Sequence, residues 1–111
     1  MSISVIDYGS GNLKSAAKAL ELAANNINAR SKITVTSDPK IIKQSEKIVL
    51  PGQGSFRDCY LGIKKIPGLD ETLNEFVLEK KKPILGICVG MQLFAKTGYE
   101  SQETKGFGWI D

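Results

Sequence analysis

This chain of 111 residues is 41% hydrophobic and 24% charged, and it contains two cysteines and no histidine. Its length and apolar fraction fit one modest globular domain and exclude a disordered or collagen-like chain. The formal charge of +3 is spread along the sequence apart from three lysines at residues 80–82, which disfavours a nucleic-acid-binding surface. Because the amino terminus lacks a basic segment before an apolar one, and no apolar run approaches about 18 residues, we expect a cytoplasmic protein.

The first half of the chain predicts strands that alternate with helices. Asn12 is a good N-cap, and apolar residues recur after it at helical spacing. β-branched residues and the turns that bound them indicate the strands. We predict strands at residues 3–7, 32–36 and 47–50, and helices at residues 12–27 and 40–42.

The second half continues the same alternation. Residues 56–66 are a mixed segment with helical potential, and residues 69–77 have an apolar face with acidic residues in the first turn. The three lysines at residues 80–82 are interpreted as the solvated end of that helix, which Pro83 terminates. We further predict a strand at 84–87, a short helix at 91–96, a polar loop at 97–105 and a strand-like segment at 107–110.

This order of elements predicts an α/β fold with a mainly parallel sheet and helices on both faces, in three α/β/α layers. In such sheets the chemistry gathers at the carboxyl ends of the strands. Two glycine-rich segments fall there, after the third and fourth predicted strands.

The segment after the fourth strand is Gly86-Ile87-Cys88-Val89-Gly90, a G-x-C-x-G pattern between a strand and a helix. It matches a nucleophile elbow with sulfur in place of oxygen. Such a turn holds the nucleophile in a strained conformation, and glycine avoids clashes two residues before and after it. A thiol there faces helix N–H groups that favour the thiolate. The alternative is an ordinary buried cysteine at a glycine-rich turn.

The segment after the third strand, residues 51–54 (Pro-Gly-Gln-Gly), is named the 51–54 loop below. Its glycines allow backbone N–H groups to face a ligand, and an oxyanion needs such a donor together with the N–H that follows the nucleophile, here that of Val89. A plain turn is the alternative. Cys59, which lacks flanking glycines, is interpreted as structural, and both cysteines are expected to be reduced.

A dinucleotide loop is rejected because Lys14 occupies the third glycine position of the fingerprint. We therefore expect no cofactor. The lack of histidine removes the commonest zinc ligand, and no metal is expected either.

The chain resembles the class I glutamine amidotransferases, whose domain is flavodoxin-like. Within them it is most similar to the glutaminase subunits of imidazole glycerol phosphate synthases. The resemblance covers essentially the whole chain and is carried by residues 7–15 (Asp-Tyr-Gly-Ser-Gly-Asn-Leu-Lys-Ser), 50–56 and 86–94.

The resemblance implies that Cys88 attacks the carboxamide of glutamine, releases ammonia and leaves a thioester that water hydrolyses. The N–H groups of Gln53 and Val89 would form the oxyanion hole, although family members commonly have an apolar residue at position 53. It implies a partner, a (β/α)8-barrel cyclase of histidine biosynthesis that receives the ammonia in a heterodimer. The remaining implied roles are glutamine binding by Gly52, Gly54 and Gln92, and partner contact by Asn12.

One departure from the family concerns the catalytic base. The family activates its cysteine with a histidine, which a glutamate two residues later orients, in a segment downstream of these residues. We therefore expect residues 1–111 to be the amino-terminal part of a single amidotransferase domain, incomplete at its carboxyl end and not a competent glutaminase alone. The alternatives are a catalytically dead partner-binding protein of the same fold and another thiol enzyme with a cysteine elbow.

Overall fold

The secondary structure follows the predicted alternation of strands and helices. The computed structural model describes residues 1–27, 30–100 and 103–110. The elements are β1 (Ser2–Ile6), α1 (Leu13–Asn26), β2 (Lys32–Thr36), α2 (Pro39–Gln44), β3 (Lys47–Leu50), α3 (Phe56–Lys64), α4 (Leu69–Asn74), β4 (Ile84–Gly86), α5 (Val89–Gln92), β5 (Thr97–Gly98) and β6 (Thr104–Lys105).

Short polar side chains begin three of the helices. The Asn12 Oδ1 accepts the Ser15 N–H at the start of α1, as the sequence predicts. Asp38 caps α2 and Ser55 caps α3 in the same way. Each cap satisfies an N–H that has no partner inside its helix, a contribution of typically about 1 kcal/mol.

The main sheet in the described part of the chain has four parallel strands in the order β2-β1-β3-β4. Val5 of β1 is in register with Val35 of β2 and with Val49 of β3, which in turn is in register with Leu85 of β4. The chain passes from β1 to β2 and then crosses to the other side of β1 for β3 and β4. This reversal brings the carboxyl ends of β1, β3 and β4 together at a topological switch point.

The two faces of the sheet are covered unequally. One face carries Ile6, Ile48 and Leu50, which are buried in the main hydrophobic core together with side chains of α2 to α5. On the opposite face α1 packs over β1 and β2, and no α1 residue is fully buried. Leu85 is 55% exposed on that face. The core therefore lies on the α3 side.

The end of the fourth helical segment differs from the prediction. After Asn74 the chain makes a π-helical turn, Glu75–Glu79, in which the Lys80 N–H donates to the Glu75 carbonyl. Lys80 is exposed, as expected of a solvated helix end. Lys82 is not fully solvated, because its ammonium donates to the Ser45 carbonyl at 3.1 Å and lies over the Phe76 ring.

The elements after the fourth strand also differ from the prediction. The helix predicted at 91–96 begins earlier and is shorter, since α5 spans Val89–Gln92, and β4 stops one residue before Ile87. The predicted polar loop at 97–105 contains the antiparallel strands β5 and β6, with residues 101–102 outside the described part. Residues 107–110 form no strand: Ile110 makes only an isolated bridge to Ala95. Phe107 and Trp109 instead stack on each other beside the core.

In the described ranges, no helix is long and apolar enough to cross a membrane. The same ranges contain no group of three or more histidine, cysteine or acidic side chains able to hold a metal ion.

Candidate active site

The segments that follow β1, β3 and β4 line an open cavity of about 540 Å³ at the switch point. Every candidate site residue except Gln92 lines it. Gln92 lies on α5 and is exposed. The residues brought together are Asn12, Gly52, Gln53, Gly54, Cys88 and Val89.

Cys88 has an unusual backbone conformation, with φ 54° and ψ −123°. Cys88 and Lys81 are the non-glycine residues with positive φ in the described part of the chain. Such a conformation costs on the order of 1–3 kcal/mol and persists only where the surrounding structure enforces it. Cys88 is an exposed free cysteine, whereas Cys59 is buried. The strained turn therefore presents a thiol to the cavity.

The glycine at position 90 explains how the turn fits. A Cβ atom at Gly90 would collide with the Leu50 carbonyl oxygen and lie 2.9 Å from the Pro51 carbonyl carbon. The Ile87 N–H donates to that Leu50 carbonyl at 3.0 Å. The segment around Cys88 is thus packed directly on the end of β3, with no room for a side chain between them.

The 51–54 loop is in backbone contact with the first turn of α5. A Cβ atom at Gly52 would lie 2.5 Å from the Gly90 nitrogen and 3.0 Å from the Val89 carbonyl carbon. Gly52 is buried, while Gln53 and Gly54 are exposed at the cavity. The loop and the thiol-bearing turn therefore form one unit, in which each fixes the position of the other.

Two N–H groups were predicted to face a developing negative charge. The Val89 N–H has no hydrogen-bond acceptor among the residues that the structure describes, so it is available to a ligand. The Gln53 N–H donates to the Ser10 Oγ at 3.0 Å, and the Ser10 hydroxyl donates to the Gln53 carbonyl at 2.7 Å. Ser10 thus holds both backbone groups of Gln53.

Two further side chains contact the 51–54 loop. The buried Tyr8 hydroxyl donates to the Pro51 carbonyl. The Cys59 thiol on α3 lies 3.4 Å from both the Gln53 carbonyl oxygen and the Ser10 Oγ. Burial, with a smaller contribution from the Cys59 thiol, raises the pKa of Tyr8, so its hydroxyl keeps its proton.

Sequence reasoning missed these contacts with the loop. Cys59 is buried, as a structural cysteine would be, but it also lies against the loop. Tyr8 and Ser10 follow β1, and the rule that parallel strands present their carboxyl ends at one sheet edge would have placed them near the loop. No sequence signal pointed to Cys59, which is reached from the middle of a helix.

The protein has an α/β fold, with helices on both faces of a parallel sheet. It carries a thiol at the switch point of that sheet, on a strained strand-to-helix turn. The family model of class I glutamine amidotransferases matches residues 4–105, and the chain belongs to this family.

Three curated relatives are each named imidazole glycerol phosphate synthase subunit HisH. The protein from Pelagibacter ubique is 52% identical over 111 residues, that from Rhodopseudomonas palustris is 49% identical over 110, and that from Brucella suis is 48% identical over 110. Each match covers 99% of this chain and 51% of the relative. The chain therefore spans about half the length of the curated relatives it matches.

Proposed function

We propose that this chain supplies the nucleophile and the oxyanion donors of a glutaminase, the glutaminase subunit of an imidazole glycerol phosphate synthase. One observation carries the proposal: Cys88 stands at positive φ, as in a nucleophile elbow, with its thiol at a cavity whose other wall is the 51–54 loop. The similarity to proteins named as that synthase's HisH subunit supports the choice of reaction. In this proposal residues 1–111 form the amino-terminal part of one amidotransferase domain.

The reaction begins when the Cys88 thiolate adds to the side-chain carbonyl carbon of glutamine. The carbonyl oxygen becomes an oxyanion, to which the Val89 N–H would donate. The carbon–nitrogen bond then breaks, ammonia leaves with an added proton, and a γ-glutamyl thioester remains on Cys88 until water hydrolyses it to glutamate. Because α5 has only four residues, its macrodipole is small and the individual N–H groups do most of the stabilisation.

The loop would provide the second oxyanion donor. The Gln53 N–H donates to Ser10, so it serves the oxyanion only when that hydrogen bond breaks or is shared. Breaking one such bond costs about 0.5–1.5 kcal/mol, which is small beside the several kcal/mol that an oxyanion donor contributes. Gly52, Gly54 and Gln92 are proposed to hold the rest of the glutamine.

The chain contains no histidine, so no imidazole within it can take the Cys88 proton or protonate the departing ammonia. Such proton transfer typically contributes 10²- to 10⁴-fold. We therefore expect the 111 residues alone to be inactive on glutamine, although they can still react with an acyl donor whose leaving group needs no proton.

The ammonia is proposed to pass to a cyclase subunit with a (β/α)8 barrel. Asn12 lies at the cavity and is exposed, so the amino-terminal end of α1 can contact such a partner there.

The test uses γ-glutamyl p-nitrophenyl ester and the 111-residue chain. The Cys88 sulfur displaces p-nitrophenolate, whose appearance is followed by absorbance, and the thioester is located by mass spectrometry of peptides. The expected result is one equivalent of p-nitrophenolate released per chain, with the acyl group on Cys88.

The matched control is Cys88→Ser, which keeps the turn and removes the sulfur nucleophile. If this variant releases p-nitrophenolate as fast as the parent, or if the acyl group is found on Cys59, the proposal is wrong.

A further inference from the structure

Three side chains from two different parts of the chain converge on the backbone of the 51–54 loop. Tyr8 and Ser10 follow β1, and Cys59 lies on α3. Together they contact the carbonyl groups of Pro51 and Gln53 and the N–H group of Gln53. The name loop clamp is used below for Tyr8, Ser10 and Cys59.

The members of the loop clamp also contact one another. The Cys59 Sγ lies 3.4 Å from the Ser10 Oγ, and Tyr8 and Cys59 are buried in the same hydrophobic cluster. Cys59 is 1% exposed and Tyr8 6% exposed, so neither exchanges its contacts freely with water. Buried polar groups that satisfy one another in this way restrict a backbone to one arrangement.

We propose that Tyr8, Ser10 and Cys59 are positioning residues of the glutaminase: they hold the 51–54 loop against the first turn of α5. The proposal rests on the function proposed above for Cys88 and the loop. None of the three side chains touches the reacting atoms in this role. They act through the loop, whose contact with Gly90 and Val89 sets the shape of the cavity in which the γ-glutamyl group reacts.

The physical reason lies in the backbone of the loop. Gln53 and Gly54 are exposed, and Gly54 has φ +98° with no atom within 4 Å of its Cβ position, so the cavity side of the loop gives little support. The glycines on either side of Gln53 allow many alternative conformations. The loop clamp thus restrains the orientation of the Pro51 and Gln53 carbonyl groups in addition to the packing of Gly52 on α5, and its loss lowers the fraction of molecules with the loop in place.

The test compares two reactions of Cys88 in the same chain. Acylation by γ-glutamyl p-nitrophenyl ester passes through an oxyanion, whereas alkylation by iodoacetamide is a direct displacement at carbon and forms none. The ratio of the two rates therefore reports the loop and its donors, and the alkylation rate reports access to the thiol. Cys59→Ala and Tyr8→Phe each remove one donor to the loop. Ser10 is left unchanged because its bond to the Gln53 N–H must open when that N–H serves the oxyanion, so a Ser10 variant would alter the oxyanion donor as well as the position of the loop.

Both variants are expected to acylate roughly two- to tenfold more slowly, the fold-change that corresponds to one hydrogen bond, with alkylation unchanged. Cys59→Ser, which keeps a donor at that position, should restore the acylation rate. Ile63→Val is the matched control: Ile63 is fully buried one turn further along α3, so the variant loses stability without removing a donor to the loop.

Three results would overturn the proposal. The first is acylation at the parent rate in both Cys59→Ala and Tyr8→Phe, and the second is an equal fall in the acylation and alkylation rates of these variants. The third is a fall in the acylation rate of Ile63→Val as large as theirs. If the proposed function itself is wrong, the result is distinguishable from these three, because the parent chain would then be acylated no faster than Cys88→Ser.

Discussion

The contact between Gly52 and α5 gives the most demanding prediction. In Gly52→Ala the added Cβ would lie 2.5 Å from the Gly90 nitrogen and 2.8 Å from the Tyr8 hydroxyl. The nitrogen belongs to the backbone of a packed turn and has no flexible side chain to move aside. Ordinary contact begins at 3.4 Å, so the 51–54 loop and α5 must separate by about 0.9 Å.

A displacement of that size should slow acylation strongly and lower the free energy of unfolding moderately. Misplacement by about 1 Å in an active site can cost about 10²-fold, and overpacking by one methyl group typically costs 1–3 kcal/mol. We therefore expect Gly52→Ala to acylate Cys88 with γ-glutamyl p-nitrophenyl ester about 100-fold more slowly, measured by stopped-flow absorbance, while the chain still folds by circular dichroism.

Gly68→Ala is the control for a glycine substitution remote from the cavity. Gly68 has φ +79° and its Cβ position is 3.7 Å from the nearest atom, so the variant suffers backbone strain without a clash. It should lose about 1–2 kcal/mol of stability and keep the parent acylation rate. Acylation by Gly52→Ala within about threefold of the parent rate would refute the idea that the loop and the thiol-bearing turn form one unit.

Three further predictions concern the loop, the open sheet face and the surface ion pair. Ser10→Ala should speed hydrogen exchange of the Gln53 amide about fivefold, as seen by NMR, because its acceptor is lost; an unchanged rate would contradict the contact. We expect the chain to self-associate through the sheet face that carries Leu85, which is 55% exposed, so Leu85→Lys should reduce self-association in light scattering without lowering the melting temperature; equal association in both chains would count against this face as the cause. The hydrogen bond from Lys64 lowers the pKa of Asp70, so this pair stabilises the fold above the carboxyl's unfolded-state pKa and loses its effect as pH falls through the folded-state pKa. Asp70→Asn should therefore be less stable than the parent by about 0.5 kcal/mol at pH 7, with the difference shrinking below pH 4; a difference independent of pH would refute this.

The sequence predicted the parts of the fold that depend on local pattern. Periodicity, β-branched residues and turn chemistry predict the strands before the two glycine-rich segments, the Asn12 cap of α1 and the parallel sheet. The π-helical turn after Asn74 and the stacking of Phe107 on Trp109 do not, because both are set by packing between distant segments.

The candidate site shows the same division. The G-x-C-x-G spacing led to Cys88, and the structure gives Cys88 the positive φ that the motif requires. The engagement of the Gln53 N–H by Ser10 joins residues 43 apart in the chain, and the Cys59 contact to Ser10 joins residues 49 apart. Contacts between residues so far apart in the chain leave no periodic pattern in the sequence, because only the fold brings these residues together.

The claim that Cys88 is the nucleophile of a glutamine site is tested most directly by labelling with a glutamine-analogue diazoketone. The labelled residue is identified by mass spectrometry, with L-glutamine or D-glutamine as the competitor. We predict that the label is confined to Cys88 and that L-glutamine slows labelling while D-glutamine does not. Labelling shared with Cys59, or labelling of Cys88 that L-glutamine leaves unchanged, would contradict the account.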